Sequence, residues 1–215
     1  MKNKPTKDFL EFIFDDDIDS MIGKNLPDPD TLDFYRQFSN REIYINEIID
    51  TPVVTYALYI INWNKQDKDI PIAERKKITI YINSDGGCLN SVMMLIDAIN
   101  MSITPVMTIG MGKAYSSGGL LLMAGHAGKR LIFPNTSCLI HDGSTGASGN
   151  TGKVMDSMEF TKITEEKVKK YILGKTKITS KLFDKNYRKD WWISSEDIIT
   201  LGVADKMIES LDEIF

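Results

Sequence analysis

Short apolar runs of strand character alternate with segments of helical periodicity along most of this chain, from residue 42 onward. The run at 77–83 precedes apolar residues spaced three and four apart over 89–99, and the run at 105–109 precedes a small-residue helical segment at 120–124. Strands separated by helices at this spacing pair in parallel, because the helix carries the chain back along the sheet. The pattern predicts an α/β fold with a mostly parallel sheet covered by helices.

The remaining elements continue this alternation. Pro52 indicates a helix start, and the polar stretch at 64–76 indicates a loop. A glycine- and serine-rich loop at 143–152 leads to a long helix that is expected to end before Gly174. A capped helix is predicted at 194–200, and further strands are predicted at 42–45, 129–133, 137–141 and 203–208.

The first part of the chain has a different character. Aspartates at 15, 16, 17 and 19 form an acidic run, followed by two prolines. Their spacing resembles a calcium-binding loop, but that loop needs glycine where Ser20 stands and glutamate where Leu26 stands. We expect residues 1–39 to form an appendage and residues 40–215 to form one domain.

Composition narrows the function classes. The formal net charge of −4 over 215 residues disfavours a general nucleic-acid binder, which needs a basic surface. Cys88 and Cys138 lie in apolar runs, and two buried thiols suit a reducing cytosol. The N-terminal sequence turns acidic before any long apolar stretch, which predicts neither a secretory signal nor a membrane span. We expect a cytoplasmic protein that binds neither nucleic acid nor membrane.

Several glycines follow the strand predicted at 105–109, but they match no nucleotide-binding motif. A phosphate-binding loop would need glycine where Met107 stands and serine or threonine where Ala114 stands. A dinucleotide fingerprint starting at Gly110 would need a further glycine where Tyr115 stands. The sequence predicts no organic cofactor and no metal.

A glycine-flanked serine, Ser116, marks the turn from that strand into a helix. The chain has two histidines, and His141 closes a strand 25 residues after this serine. A serine hydroxyl becomes a good nucleophile when a base takes its proton, and histidine is the base best suited to neutral pH. His141 is the candidate base, since His126 lies in a glycine-rich turn. Serine is also a common helix cap, so this segment alone leaves a structural role open.

Catalysis at this serine would need two further features. Backbone amides must hold the developing oxyanion: Ser117 at the helix start would supply one, and the glycine turn at 86–87 the other. A carboxylate must orient the histidine. Asp142 is adjacent in sequence, but neighbours on an extended segment point apart. Asp190 is the better candidate, because the bulk of the two tryptophans that follow it could shield its carboxylate from water, but the chain has many aspartates and the residues alone do not decide the choice.

Four motifs occur in the order and spacing of a known family. They are Tyr81-Ile82-Asn83-Ser84-Asp85-Gly86-Gly87, Gly112-x-Ala114-x-Ser116-x-Gly118, Pro134-Asn135 with Ile140-His141, and Lys189-Asp190 followed by Leu201-Gly202-Val203-Ala204-Asp205. Through these motifs, the chain from about 40 to 208 resembles the ClpP-type serine peptidases, the proteolytic chambers of Clp machines. The resemblance implies a crotonase-related α/β fold with a protruding handle helix within about 143–174.

The resemblance also assigns roles. It makes Ser116 the nucleophile, His141 the general base and acid, and Asp190 the orienting carboxylate, with the amides of Gly87 and Ser117 as the oxyanion hole. The implied enzyme is a serine endopeptidase that forms an acyl-enzyme intermediate. We further expect three residues of this region to contact the peptide: Gly86, Leu89 and Ser144.

Assembly and partners follow from the same resemblance. It implies stacked heptameric rings that enclose a chamber, unfolded proteins as substrates, and a Clp-type AAA+ unfoldase as partner. The handle helix would join two rings through the apolar side chains of Val154, Met158, Val168, Tyr171 and Ile172. Three alternatives stay open: a non-cutting ClpP paralogue in mixed rings, a phage-type capsid-maturation protease, and an acyl-CoA-handling relative of the same fold.

The chain departs from the family pattern beside the candidate site. Asp85 stands where proline is usual, Ser117 where methionine is usual, and Asp142-Gly143 where Gln-Pro is usual. Lys189 replaces an arginine that helps to join two rings, and lysine lacks the bidentate fork of arginine. The oxyanion amides survive any change of side chain, whereas the contact between rings is expected to be weak and salt-sensitive.

Overall fold

The structure, a computed structural model, describes residues 28–215. The acidic run and the calcium-loop pattern at 15–26 therefore lie outside the described residues. The chain divides into two compact units between residues 42 and 43. In the first unit, helix α1 (Pro29–Asn40) begins behind Asp28, whose carboxylate accepts a hydrogen bond of 3.0 Å from the Thr31 amide. The role of residues 1–39 as an appendage stays a prediction.

One seven-stranded sheet organises the second unit. Its strands are β1 (Glu42–Ile45), β2 (Ile78–Ser84), β3 (Val106–Tyr115), β4 (Arg130–Ile132), β5 (Ser137–Ile140), β6 (Trp191–Ile193) and β7 (Lys206–Met207). The parallel pairs are β2–β3, β3–β4, β3–β5 and β4–β7, and β6 joins β5 in the antiparallel direction. The prediction of a mostly parallel sheet is confirmed.

Helices cover this sheet, as the alternation of elements predicts. After α1, the helices are α2 (Val53–Gln66), α3 (Leu89–Met101), α4 (Ser117–Ala124), α5 (Thr151–Lys175), α6 (Ser180–Asn186) and α7 (Ser195–Thr200), with short 3-10 turns at Ile72–Glu74 and Leu211–Glu213. Helix α4 contacts both β3 and α3, and α3 packs against α2. All eight residues of α4 are buried, so this helix lies at the centre of the core.

The central strands are buried on both faces. Six of the seven residues of β2 are buried, which explains its nearly continuous apolar sequence rather than a strict alternation. One cluster of the core is formed by the side chains of Tyr81, Met107, Ile109, Leu131, Ile208 and Ile214.

Strand β3 is longer than the sequence pattern predicts. The expected strand ended at residue 109, but β3 continues through two glycines to Tyr115. Strand β2 pairs with β3 on one edge as far as Ala114, while on the other edge the partner changes from β4, at Thr108–Gly110, to β5 from Lys113. The register between β2 and β3 shifts between Ile82 and Ser84, and Gly112 takes a φ of 82°. The glycines allow this irregularity, which lies where the partner of β3 changes from β4 to β5.

Other helix and strand boundaries also differ from the predicted ones. Helix α2 extends to Gln66 and so occupies the start of the loop predicted at 64–76. Helix α5 passes Gly174, since the Thr176 amide still bonds to the Ile172 carbonyl at 3.1 Å. Of the strand predicted at 203–208, only Lys206 and Met207 are in a strand. Among the helices of residues 28–215, none is both long and apolar enough to cross a membrane.

Helix α5 has two different parts. Its first 17 residues, 151–167, include no buried side chain, whereas Val168 and Ile172 near its end are buried. The Tyr171 hydroxyl donates to the Leu120 carbonyl of α4 at 3.0 Å. The expectation that Val168, Tyr171 and Ile172 offer surface for contact between rings was therefore wrong, because these side chains anchor the helix to the core.

Candidate active site

Ser116 lies at the junction between β3 and α4, with an unusual backbone conformation. Its φ is 52° and its ψ is −118°. A non-glycine residue with positive φ is strained, and such strain persists only where surrounding contacts hold it. Here the Ser116 amide donates to the Leu139 carbonyl at 2.8 Å, and the Ser116 carbonyl accepts from the Leu120 amide at 3.2 Å. These two hydrogen bonds fix the Ser116 backbone, and with it the start of its side chain, in the sharp turn between β3 and α4.

Glycines make this turn sterically feasible. A Cβ at Gly119 would lie 2.9 Å from the Cys138 sulfur and 3.0 Å from the Ala114 carbonyl oxygen. Glycine therefore lets the first turn of α4 pack directly on β5 and on the end of β3. This close packing sets the position of Ser116 above the carboxyl ends of the parallel strands.

His141 follows β5 at the same edge of the sheet. Because β3 and β5 are parallel, with Tyr115 opposite Leu139, the residues that follow the two strands are brought together. The Nε2 atom of His141 lies 2.9 Å from the Ser116 Oγ atom. A neutral imidazole that accepts at Nε2 can take the hydroxyl proton directly.

Asp190 faces the other side of the imidazole. Strand β6 runs antiparallel to β5 with Trp191 opposite Ile140, and one further step of this register places Asp190 opposite His141. Directly opposite residues project to the same face of a sheet. The Asp190 Oδ1 atom lies 3.4 Å from His141 Nδ1, and 65% of the Asp190 side chain is exposed. This contact is longer than a normal hydrogen bond and is open to water.

Asp142, the alternative carboxylate, points elsewhere. Its Oδ2 atom lies 3.5 Å from the Arg188 guanidinium, whose other nitrogen lies 3.7 Å from Glu165. Between the two carboxylates that the residues alone left open, the geometry favours Asp190 as the partner of His141 and gives Asp142 a different partner.

The glycine turn of Gly86 and Gly87 packs against Ser116. Both glycines have positive φ, 98° and 145°. A Cβ at Gly86 would lie 2.7 Å from the Ser116 Cβ, and one at Gly87 would lie 2.1 Å from the Ile49 carbonyl oxygen. No larger residue fits either position without a backbone shift. Among residues 28–215, no hydrogen-bond acceptor is paired with the amides of Gly87 and Ser117.

A cleft of about 480 Å³ opens beside these groups. Two of the three residues predicted to contact the peptide, Leu89 and Ser144, line this cleft. The third, Gly86, packs behind Ser116 and does not line the cleft. Its remaining lining residues come from the glycine turn, α4, the end of β5, α5 and the segment after α6: Asp85, Gly87, Cys88, Ser116, Ser117, Leu120, Ile140, His141, Asp142, Gly143, Val168, Ile172 and Tyr187. The cleft thus combines apolar walls with Ser116 and His141 at one side.

Sequence reasoning missed several of these walls. Val168 and Ile172 are four apart on α5, a spacing that indicates a buried helix face but not which cavity it borders. Tyr187 stacks on Phe183 with a ring-centroid distance of 4.4 Å. Burial raises the pKa of Tyr187 to about 12, so its hydroxyl stays neutral and can donate near neutral pH.

Charged groups at the cleft rim are paired. Lys113 Nζ lies 2.9 Å from an Asp85 carboxylate oxygen, and both side chains are about half exposed. Each charge of this pair therefore has a partner of opposite sign. Exposed pairs of this kind contribute little to stability, about 0–1 kcal/mol.

The two cysteines differ in exposure. Cys138 is buried, and burial raises its pKa to about 12. Cys88 is exposed, so the prediction of two buried thiols was wrong for it. It stands at the cleft rim just before α3, where a hydrogen bond from the Ser91 side chain lowers the pKa of its thiol. Within residues 28–215, no group of three or more His, Cys, Asp or Glu side chains is arranged to hold a metal ion.

Comparison with known proteins places this chain in a family. The family model for Clp protease matches residues 31–211. Over 143 residues the chain is 32% identical to ATP-dependent Clp protease proteolytic subunit 1 of Streptomyces avermitilis and 31% identical to proteolytic subunit 3 of Streptomyces coelicolor. Each alignment covers 65% of this chain and 64% of the relative.

A third relative comes from a different genus. Over 137 residues, the chain is 31% identical to the ATP-dependent Clp protease proteolytic subunit of Streptococcus mutans, an alignment that covers 63% of this chain and 70% of the relative. The chain therefore spans about two thirds of the length of the curated relatives it matches. The resemblance read from the four motifs is confirmed: this chain belongs to the Clp protease family.

Proposed function

We propose that this chain is a serine endopeptidase that cuts unfolded polypeptides inside an oligomeric ring. The observation that carries the proposal is the 2.9 Å contact between Ser116 Oγ and His141 Nε2 at the edge of the cleft. A hydroxyl paired with an imidazole, beside two unpaired amides, is the arrangement that acyl transfer requires.

The first half of the reaction forms an ester. His141 Nε2 takes the proton of Ser116 as the Oγ atom attacks the carbonyl carbon of the scissile bond. The carbonyl oxygen becomes an oxyanion, which the amides of Gly87 and Ser117 stabilise by donating hydrogen bonds. His141 then gives the proton to the leaving nitrogen, and the C–N bond breaks.

The second half releases the acyl group. A water molecule replaces the departed amine, loses a proton to His141, and attacks the ester carbonyl. His141 returns that proton to Ser116 Oγ as the C–O bond breaks, so the enzyme is restored. Asp190 stabilises the imidazolium that forms in both halves and keeps the Nδ1 proton on its own side of the ring.

The cleft also indicates what the site accepts. Leu120, Ile140, Val168 and Ile172 provide apolar lining. We infer that an apolar side chain beside the scissile bond is buried there, while Leu89 and Ser144 contact the neighbouring peptide. Burying such a side chain contributes roughly 1.5–3 kcal/mol of binding.

Labelling with a fluorophosphonate tests the proposal directly, because this reagent esterifies an activated serine only. The native chain should be labelled at Ser116 within minutes. His141→Ala should be labelled at least about 10³ times more slowly, because it lacks the base. Heat-unfolded chain serves as the control for non-specific reaction. A native chain that is not labelled would refute the peptidase.

A non-cutting ring subunit is the second candidate function. The long, exposed contact between Asp190 and His141 favours it, because a poorly oriented imidazole is a poor base. In this case the fluorophosphonate would not react, yet the chain would still assemble. Labelling and assembly are therefore measured on the same preparation.

Assembly is proposed from the exposed part of α5. Met155, Met158, Phe160 and Ile163 are all about half exposed or more, and no residue in 151–167 is buried. Exposed apolar surface of this kind marks an interaction site. We infer stacked heptameric rings joined through this handle, around a chamber that encloses the cleft. A Clp-type AAA+ unfoldase would feed it, since the relatives' names describe proteolytic subunits of ATP-dependent proteases.

Met158→Glu is expected to weaken the contact between rings. A carboxylate at a buried interface costs several kcal/mol unless it is paired, so particles should shift to single rings or smaller species. Peptidase activity should fall with the loss of assembly. Sedimentation velocity at low and high salt measures the shift, and because Lys189 replaces the usual arginine, high salt should also shift the native particle.

Ser157→Glu is the matched control, because it adds the same charge to the same helix. Ser157 lies on a stripe of hydroxyl residues with Thr161 and Thr164, each bonded to the carbonyl four residues earlier. This variant should assemble like the native chain. A native chain that sediments as a monomer with full peptidase activity at both salt concentrations would rule out the chamber.

A further inference from the structure

The side chain of Ser117 has an unusual hydrogen bond. Ser117 is the first residue of α4 and is 3% exposed. The N-cap position, where a serine side chain often bonds back to its own helix, belongs to Ser116. The Ser117 hydroxyl instead crosses to the glycine turn and donates to the Gly87 carbonyl at 2.9 Å. This bond joins two segments that are 30 residues apart in sequence.

The glycine turn is held firmly on one side. The Ile49 amide donates to the Gly86 carbonyl at 2.8 Å, and the Ile49 carbonyl accepts from the Cys88 amide at 2.7 Å. On the side that faces α4, the Gly87 carbonyl accepts a hydrogen bond from the Ser117 hydroxyl, and residues 28–215 provide no other donor to this carbonyl. Two successive glycines are the most flexible backbone in a protein. Without this bond, the turn is fastened at one side only.

The two ends of this bond belong to the residues whose amides face the candidate oxyanion. The hydroxyl belongs to Ser117, and the carbonyl belongs to Gly87. An oxyanion hole acts through donors that are already in place before charge develops. We propose that Ser117 is a positioning residue: its side chain holds the Gly87–Cys88 peptide, which directly follows the Gly87 amide, against the start of α4 and so fixes the separation of the two amide donors. This inference rests on the proposed peptidase function.

The expected effect falls on the transition state. Removing one neutral buried hydrogen bond changes a free energy by about 1 kcal/mol, so Ser117→Ala should lower kcat by about fivefold to tenfold. Ser117 and Gly87 both border the cleft, but the hydroxyl and the carbonyl of this bond are paired with each other, so KM should stay within about twofold. The pH at half-maximal kcat/KM should not move, because His141 and Asp190 are unchanged.

Three variants test this with a fluorogenic peptide and a peptide boronate, which forms a tetrahedral adduct with the serine. For Ser117→Ala, the boronate affinity should fall by the same factor as kcat/KM, as expected for an effect on the transition state alone. Ser117→Thr keeps the hydroxyl and should recover most of the activity, and Ser117→Cys, of nearly the same size with a weaker donor, should lie between alanine and serine.

Ser195→Ala is the matched control. Ser195 is also a buried serine at the first position of a helix, α7, but it does not line the cleft. It should change neither kcat nor boronate affinity. Each variant is first compared with the native chain in thermal unfolding.

The outcomes are distinct. Native kcat and native boronate affinity in Ser117→Ala would overturn the positioning role while leaving the peptidase intact. A loss that raises KM and lowers kcat equally in the alanine and cysteine variants would overturn it too, because it would indicate a packing defect. A native chain that neither reacts with fluorophosphonate nor cuts peptide would instead refute the peptidase function, and the positioning role with it.

Discussion

Ser116→Ala should abolish peptide hydrolysis, with a loss of at least about 10⁴-fold in kcat/KM. The reason is that this change removes the attacking oxygen, and the remaining groups can only stabilise attack by water. The Ser116 Oγ atom is the oxygen in contact with His141 Nε2, at 2.9 Å. Steady-state hydrolysis of a small fluorogenic peptide measures the loss, and a small peptide reports on the site without any unfoldase.

Ser117→Ala is the natural comparison, since the two serines are adjacent. Its hydroxyl is bonded to the Gly87 carbonyl and does not contact His141, so this variant should retain at least about a tenth of the native rate. The contrast between the two variants identifies the nucleophile. An inactive Ser117→Ala beside an active Ser116→Ala would mean that the turn has been misassigned.

The alternation of elements could be predicted from the sequence because apolar periodicity is local. The helix at α3 and the strand at β2 each carry their own pattern of apolar residues, and both lie close to the predicted positions. The extension of β3 to Tyr115 could not be predicted in this way. Its last residues are strand because β5 pairs with them, and the glycines there resemble a turn when neighbours in space are unknown.

The orienting carboxylate shows the same limit more sharply. From the residues alone, Asp190 was the better candidate but Asp142 stayed open, and the resemblance to a family then named Asp190. The physical reason for the choice is the register of β5 with β6, a strand of three residues that the sequence did not predict as one. Such a short strand has too little pattern to be recognised before its partner is known.

The residues that line the cleft could not be predicted from local sequence patterns either. Val168 and Ile172 lie on a helix whose earlier part is exposed, so the sequence suggested one continuous apolar surface for assembly. The structure separates the two parts: the last turns of α5 are buried against the core, and the hydroxyl of Tyr171 is bonded to α4. A helix pattern gives the buried face but not the point along the helix where burial begins.

Asp190→Asn should reduce kcat by about 10²–10³-fold. In serine proteases with a buried aspartate the corresponding loss is about 10⁴, since the amide favours the wrong imidazole tautomer. The smaller value is expected here because Asp190 is 65% exposed and lies 3.4 Å from His141 Nδ1. Water can therefore take over part of its role.

Asp142→Asn provides the contrast for this last experiment. Its carboxylate is directed to Arg188 at 3.5 Å rather than to the imidazole, so kcat should fall by no more than about threefold, in line with the small energy of an exposed ion pair. Both variants keep the size of the side chain, so packing is preserved. Equal losses in the two would leave neither carboxylate as the specific partner of His141. An unchanged rate in Asp190→Asn would mean that water alone orients the base, and the cross-strand register of β5 and β6 would then serve the fold rather than the chemistry.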